Sequence, residues 1–113
     1  HVAICLADIA IAGAESLKDK RNVLQSVKAR LRREFNVGVA EVDAQEARGH
    51  GVLGIVSVSG DARYLEGQLA RIEEAIDRWT DGGLVWFEHT IERHGPGEAF
   101  KFDPESPDIA EET

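Results

Sequence analysis

Hydrophobic and polar positions divide the chain up to Arg93 into six blocks. Residues 2–11, VAICLADIAI, are almost unbroken β-branched and aliphatic positions with Asp8 as the one polar interruption. Such a run predicts a strand at the centre of a sheet. After the short connection AGAE the period changes. Leu17, Leu24, Val27, Leu31 and Phe35 form one apolar stripe, predicting a helix that starts at a Ser16 N-cap and ends near Asn36. Residues 36–44, NVGVAEVDA, return to a strand period, with Val37, Val39, Glu41 and Asp43 expected on one face. A loop, QEARGHG, leads to a third strand over residues 52–60, VLGIVSVSG, again apolar enough to be central. Asp61 can cap a second helix in which Tyr64 or Leu65, Leu69, Ile72, Ile76 and Trp79 face inward, and TDGG stops it. The last block, residues 84–93, alternates Val85, Phe87, His89 and Ile91 against Leu84, Trp86, Glu88, Thr90 and Glu92.

The order is therefore strand, helix, strand, strand, helix, strand. Two such halves predict an α+β domain of ferredoxin-like βαββαβ topology, a four-stranded antiparallel sheet with both helices on one face. The domain is expected to occupy residues 1–93, with an acidic tail over residues 94–113 that begins at the HGPGE breaker. No part of the domain itself covers the other sheet face. That face would carry several apolar residues, including Trp86 or Phe87 according to register, and an open apolar face usually marks an interface. A homodimer or higher oligomer through this face is the expectation. Phe100 and Phe102 of the tail offer an alternative cover.

Composition adds limits. With 113 residues, 42% hydrophobic and 30% charged, the chain suits one soluble domain, and no apolar run approaches the roughly 18 residues of a membrane span. The apolar first strand lacks the basic flank and cleavage site of a signal peptide, so a cytoplasmic protein without membrane contact is expected. The single cysteine, Cys5, excludes an internal disulfide and any multi-cysteine metal site. The net charge of −8 is uneven: residues 98–113 hold six acids and one lysine, leaving −3 for the rest.

Against that background the first helix is basic, with seven cations and two acids over residues 16–35. At 100° per residue, Lys18, Arg21, Gln25, Lys28 and Arg32 fall in one line beside the apolar stripe. Lys18, Lys20 and Arg21 crowd the helix start, where the macrodipole disfavours cations. A row of this kind can contact successive phosphates of a nucleic acid, with the N–H groups at the helix start as a further anion site. Lys18, Lys20, Arg21, Lys28 and Arg32 are thus candidate phosphate or RNA contacts. The competing reading is a solvated face whose long stems cover apolar rims and whose charge Glu15, Asp19 or the tail neutralises. No aromatic residues interleave with these cations, and the central strands lack the stacking platform of an RNA-recognition motif.

Asp8, Glu41 and Asp43 form the candidate acidic cluster, with His50, His89 and Glu88 as the other groups able to support a metal or acid–base site. Nothing else around them makes a motif, so surface or interface carboxylates are favoured, and no metal, cofactor or catalytic residue is assigned. RGHGVLG lacks the lysine and the strand-to-helix context of a phosphate-binding loop. Ser57 and Ser59 lie in a strand, and Cys5 has no base near it in sequence. Acylphosphatases share the expected fold but place an arginine in the first strand-to-helix loop, whereas AGAE contains none.

The stretch AGAESLKDKRNVLQSVKARLRREFNVGVAEVD, residues 12–43, resembles the YlxP-like family of small bacterial proteins of unknown function. The SLKDKR helix start followed by FNVGVAEVD carries the resemblance, which continues through LGIVSVSGDA to about Arg93 and does not include the tail. By position, Ser16, Leu17, Lys18, Lys20, Arg21, Asn36, Val37, Ala40, Glu41, Val42 and Asp43 match the family pattern, and no catalytic role comes with them. The AQEARGHG segment departs from that pattern. The resemblance implies a ferredoxin-like fold, a bacterial cytoplasmic protein and no established activity. Family members are often encoded among genes for translation initiation and ribosome maturation, which implies a role near RNA or the ribosome. Three readings follow: an RNA- or ribosome-associated binding protein using the basic helix, a homodimeric interaction module, and, least favoured, a small metal-dependent or phosphate-ester hydrolase. In the second, the acidic tail could compete with polyanions for the helix.

Overall fold

The computed structural model describes residues 1–11, 16–43 and 49–95, apart from the side chain of Leu17. The AGAE connection, most of the first long loop, and the tail with Phe100 and Phe102 lie outside the described residues. Six elements follow in the expected order: β1 (Val2–Ala10), α1 (Leu17–Glu34), β2 (Gly38–Asp43), β3 (His50–Val58), α2 (Ala62–Trp79) and β4 (Leu84–Glu92). The sheet order is β2-β3-β1-β4 and every pairing is antiparallel. This is the ferredoxin-like arrangement, and the two near-continuous apolar strands, β1 and β3, are the central ones.

The strand period sorts β1 cleanly. Ala3, Cys5, Ala7 and Ile9 are buried beneath the helices, while Ile4 points the other way and is 42% exposed. Leu53 and Ile55 of β3 join the core, as do Leu24, Val27 and Leu31 of α1 and Leu65, Leu69, Ile72 and Ile76 of α2. Tyr64 is exposed, so the inward position at the start of α2 belongs to Leu65. At roughly 1.5–3 kcal/mol for each fully buried large aliphatic side chain, these residues are the main source of stability.

Both helix starts follow their caps. Ser16 Oγ accepts from the Asp19 N–H at 3.1 Å, and Asp61 Oδ1 accepts from the Arg63 N–H at 2.9 Å. The end of α2 turns through two left-handed residues, Asp81 (φ 52°) and Gly82 (φ 81°). There the Gly82 N–H returns to the Asp77 carbonyl at 2.7 Å, closing the last turn.

Two irregularities change which side chains share a face. In β4 the register shifts beside the Asp8/Ile9 step of β1, so Asp8 is opposite Trp86 while Ile9 is opposite Leu84. Val85 is thrown outward and 67% exposed, departing from the expected alternation, and Phe87 packs against the core. The register thereby assigns Trp86, not Phe87, to the open face. In β2 a second shift lies between Glu41, opposite Leu53, and Asp43, opposite Val52.

Candidate functional site

The basic helix is the place to begin, because α1 packs over β2 and β3 and presents its other side to solvent. Lys18, Arg21 and Arg32 are exposed and Lys28 is half-buried, so four of the five candidate cations reach the surface. From residue 18 to residue 32 the row spans about 21 Å at 1.5 Å per residue. Arg32 also reaches back to the sheet edge, where its Nη2 donates to the Val39 carbonyl at 2.6 Å. A charged group on an edge strand blocks pairing with another chain.

Lys20 is placed differently from the other four. It is 2% exposed and lies under α1 with its Nζ 3.3 Å from Glu41 Oε2. Its neighbour below is Gly51, where an added Cβ would come within 3.5 Å of Lys20 Cε and 2.7 Å of Leu24 Cδ1. Position 20 therefore lies on the inward face of α1, one helical turn before the buried Leu24. This is a correction to the expectation of five surface cations: a buried ammonium paired with a carboxylate is not offered to an external phosphate. The missing apolar position between Leu17 and Leu24 was the signal for it. Arg30 is also engaged, its guanidinium 4.4 Å from the Trp79 ring centroid, which holds the α1 and α2 ends together.

The acidic cluster does not assemble. Glu41 and Asp43, expected on one face, are separated by the register shift: Glu41 turns toward α1 opposite the core residue Leu53, and Asp43 turns to the open face opposite Val52. Asp8 is on the open face, and its Oδ1 accepts from the His50 Nδ1–H at 3.1 Å, an interaction that is ionic when His50 is protonated. Among the described residues no group of three or more His, Cys, Asp or Glu side chains could hold a metal ion. His89 is on β4 opposite Cys5, tilted against Phe87 with ring centroids 6.2 Å apart.

The potential nucleophiles are held in structural roles. Cys5 is fully buried, and burial, with a smaller contribution from the negative charge of Glu73, pushes its thiol up to about 12. Such a thiol stays protonated and unreactive at neutral pH. Ser57 is buried and its hydroxyl donates to Gln68 Oε1 at 2.7 Å, crossing from β3 to α2 inside the core. Gln68 was not singled out by the sequence pattern; its place between Leu65 and Ile72 on the inward face of α2 was the available clue.

The second surface of note is the open sheet face. Ile4, Val56, Val58 and Trp86 are 42%, 48%, 71% and 45% exposed there. Between Ile4 and Leu6 on one side and Ala40 and Val42 on the other lies an apolar depression of about 430 Å³, with Gly54 in its floor and the Val42 side chain leaning over that glycine. No described helix is long and apolar enough to cross a membrane.

Comparison with known proteins agrees with the resemblance noted in the sequence. A family model described as "Protein of unknown function (DUF503)" matches residues 2–89. The uncharacterized protein YlxP of Bacillus subtilis (strain 168) is 34% identical over 83 residues, covering 74% of this chain and 85% of that protein. Among solved structures, the crystal structure of At3g17210 from Arabidopsis thaliana superposes with a TM-score of 0.50 at 9% identity, covering 84% of this chain and 96% of that one. That likeness concerns the fold alone. A de novo designed protein with a ferredoxin fold matches at a TM-score of 0.34 and 13% identity, over 93% of this chain and 96% of the design, and adds nothing to the assignment made from strand order.

Proposed function

For a chain that belongs to the DUF503 family of proteins of unknown function, we propose a non-enzymatic role as a binding protein that engages an RNA backbone, free or in the ribosome, through the exposed face of α1. The observation that carries this reading is the row formed by Lys18, Arg21, Lys28 and Arg32, which reaches solvent along one helix while the fifth candidate, Lys20, is committed to Glu41. Four cations along one helix face can each displace a condensed counterion from a phosphate chain. The helix start adds backbone N–H groups and the positive end of the dipole. The absence of aromatic residues within this row fits backbone contact rather than base stacking.

Separation of Asp8, Glu41 and Asp43, and the burial of Cys5 and Ser57, weigh against the hydrolase reading. Binding of a fluorescent single-stranded RNA, followed by anisotropy across a salt series, tests the proposal. Four phosphate contacts give a slope of log K against log salt of about −2.8. Replacing Lys18, Arg21, Lys28 and Arg32 by glutamine should flatten that slope toward zero. Binding with an unchanged slope in the variant would place the RNA elsewhere, and no binding by the wild-type chain at low salt would reject the reading.

A further inference from the structure

We propose that the open sheet face is the contact surface of a homodimer in which Trp86 of each copy enters the apolar depression around Gly54 of the other. The depression and the projection lie at opposite edges of one face. In the cross-strand rows, Trp86 stands beside Asp8, Val52 and Asp43, and the adjacent row runs Glu88, Leu6, Gly54, Ala40. The hole is thus on the β2–β3 side, within one row of the height of the indole on β4.

That placement is self-complementary for one choice of two-fold axis. The strand order β2-β3-β1-β4 has its midline between β3 and β1. Rotation about an axis parallel to the strands, lying in the interface beneath that midline, sets β4 of each copy over β2 of the other. Each Trp86 then meets the other copy's depression, and the contact is isologous, as a closed dimer requires.

Glu88 and Glu92 are exposed on the open face of β4. An axis across the strands would set β4 against β4, opposing the glutamates with their own counterparts and facing one depression with another. The size also suffices. Three nine-residue strands and the six-residue β2, at about 3.3 Å per residue and about 4.8 Å between strands, give a footprint of roughly 500 Å² per copy. Both copies together then reach the roughly 1,000 Å² expected of a specific interface.

Sedimentation equilibrium of the full chain between 1 and 100 μM (on the order of the range in which such interfaces dissociate) tests the proposal. The expected result is a dimer of 12.4 kDa chains. Trp86→Ala and Val56→Glu, at exposed positions, should each weaken association at least tenfold with an unchanged circular dichroism spectrum. Trp86→Cys combined with Val42→Cys should give a disulfide-linked dimer, since within one chain β2 and β4 are separated by two strands. A monomeric wild-type chain at the highest concentration overturns the proposal. So does a dimer indifferent to Trp86→Ala and Val56→Glu, and a cross-link in Trp86→Cys alone overturns the orientation. The four-glutamine α1 variant should remain dimeric, which keeps this test separate from the RNA reading.

Discussion

Lys20 and Glu41 join α1 to β2 through a pair, 3.3 Å between Nζ and Oε2, in which the lysine is almost wholly buried and the carboxylate side chain is one-fifth exposed. Glu41 Oε2 is itself shut off from solvent and has no partner of hydrogen-bond geometry, so the contact is a close charge pair without good alignment. Pairs of this kind contribute little net stability but are costly to break from one side.

Glu41→Leu should therefore destabilise the domain by about 3 kcal/mol, the low end for breaking a buried charge pair from one side, because the carboxylate side is partly hydrated. Lys20→Met in the same chain should restore most of the loss, because two apolar groups then replace the two charges. Urea unfolding of the two single variants and the double variant gives the coupling energy. Additive losses would show that the two side chains do not support each other.

Gly51→Ala tests the packing beneath that pair. The new methyl would lie 2.7 Å from Leu24 Cδ1 and 3.1 Å from Glu41 Oε2, in space already filled by core atoms. A loss of about 1–3 kcal/mol is expected from overpacking. Thermal unfolding with an unchanged or higher midpoint would mean that Leu24 shifts without cost.

Ser57 and Gln68 make the one buried polar contact described between β3 and α2, at 2.7 Å. Gln68→Leu should cost about 1–3 kcal/mol by leaving the serine hydroxyl unpaired in the core, and Ser57→Ala in the same chain should recover part of it. Denaturant midpoints of the three variants decide the matter, and equal losses for the single and double variants would place the cost in packing instead.

Cys5 gives a pH dependence of known sign. Its thiol moves from about 9 to about 12 on folding, so the folded state holds the proton more tightly. The resulting stabilisation is complete below pH 9 and is lost as pH rises toward 12. Wild-type stability should therefore fall along an alkaline limb that Cys5→Ala flattens. Ellman's reagent should label the native thiol only as fast as the protein opens, and rapid labelling at neutral pH would contradict the burial.

Most of the fold was readable because its elements obey simple periods. The unbroken apolar runs of β1 and β3 marked them as central, and Ser16 and Asp61 fixed where the helices begin. The sites were less legible, since side-chain direction depends on register that no local pattern reports. One extra residue at Val42 separates Glu41 from Asp43, and one at Val85 moves the β4 alternation by a step. Lys20 was misread for a related reason. Charge suggested the surface, whereas helical spacing already put it on the inward stripe, and only an acid on the neighbouring strand made its burial affordable.

The most direct test of the central claim is ultraviolet crosslinking in bacterial cells, followed by purification of the protein and sequencing of attached RNA. The account predicts discrete ribosomal or transfer RNA sites that disappear when Lys18, Arg21, Lys28 and Arg32 are replaced by glutamine. Recovery of nothing above background from the wild-type chain, or of the same sites from the variant, would contradict it.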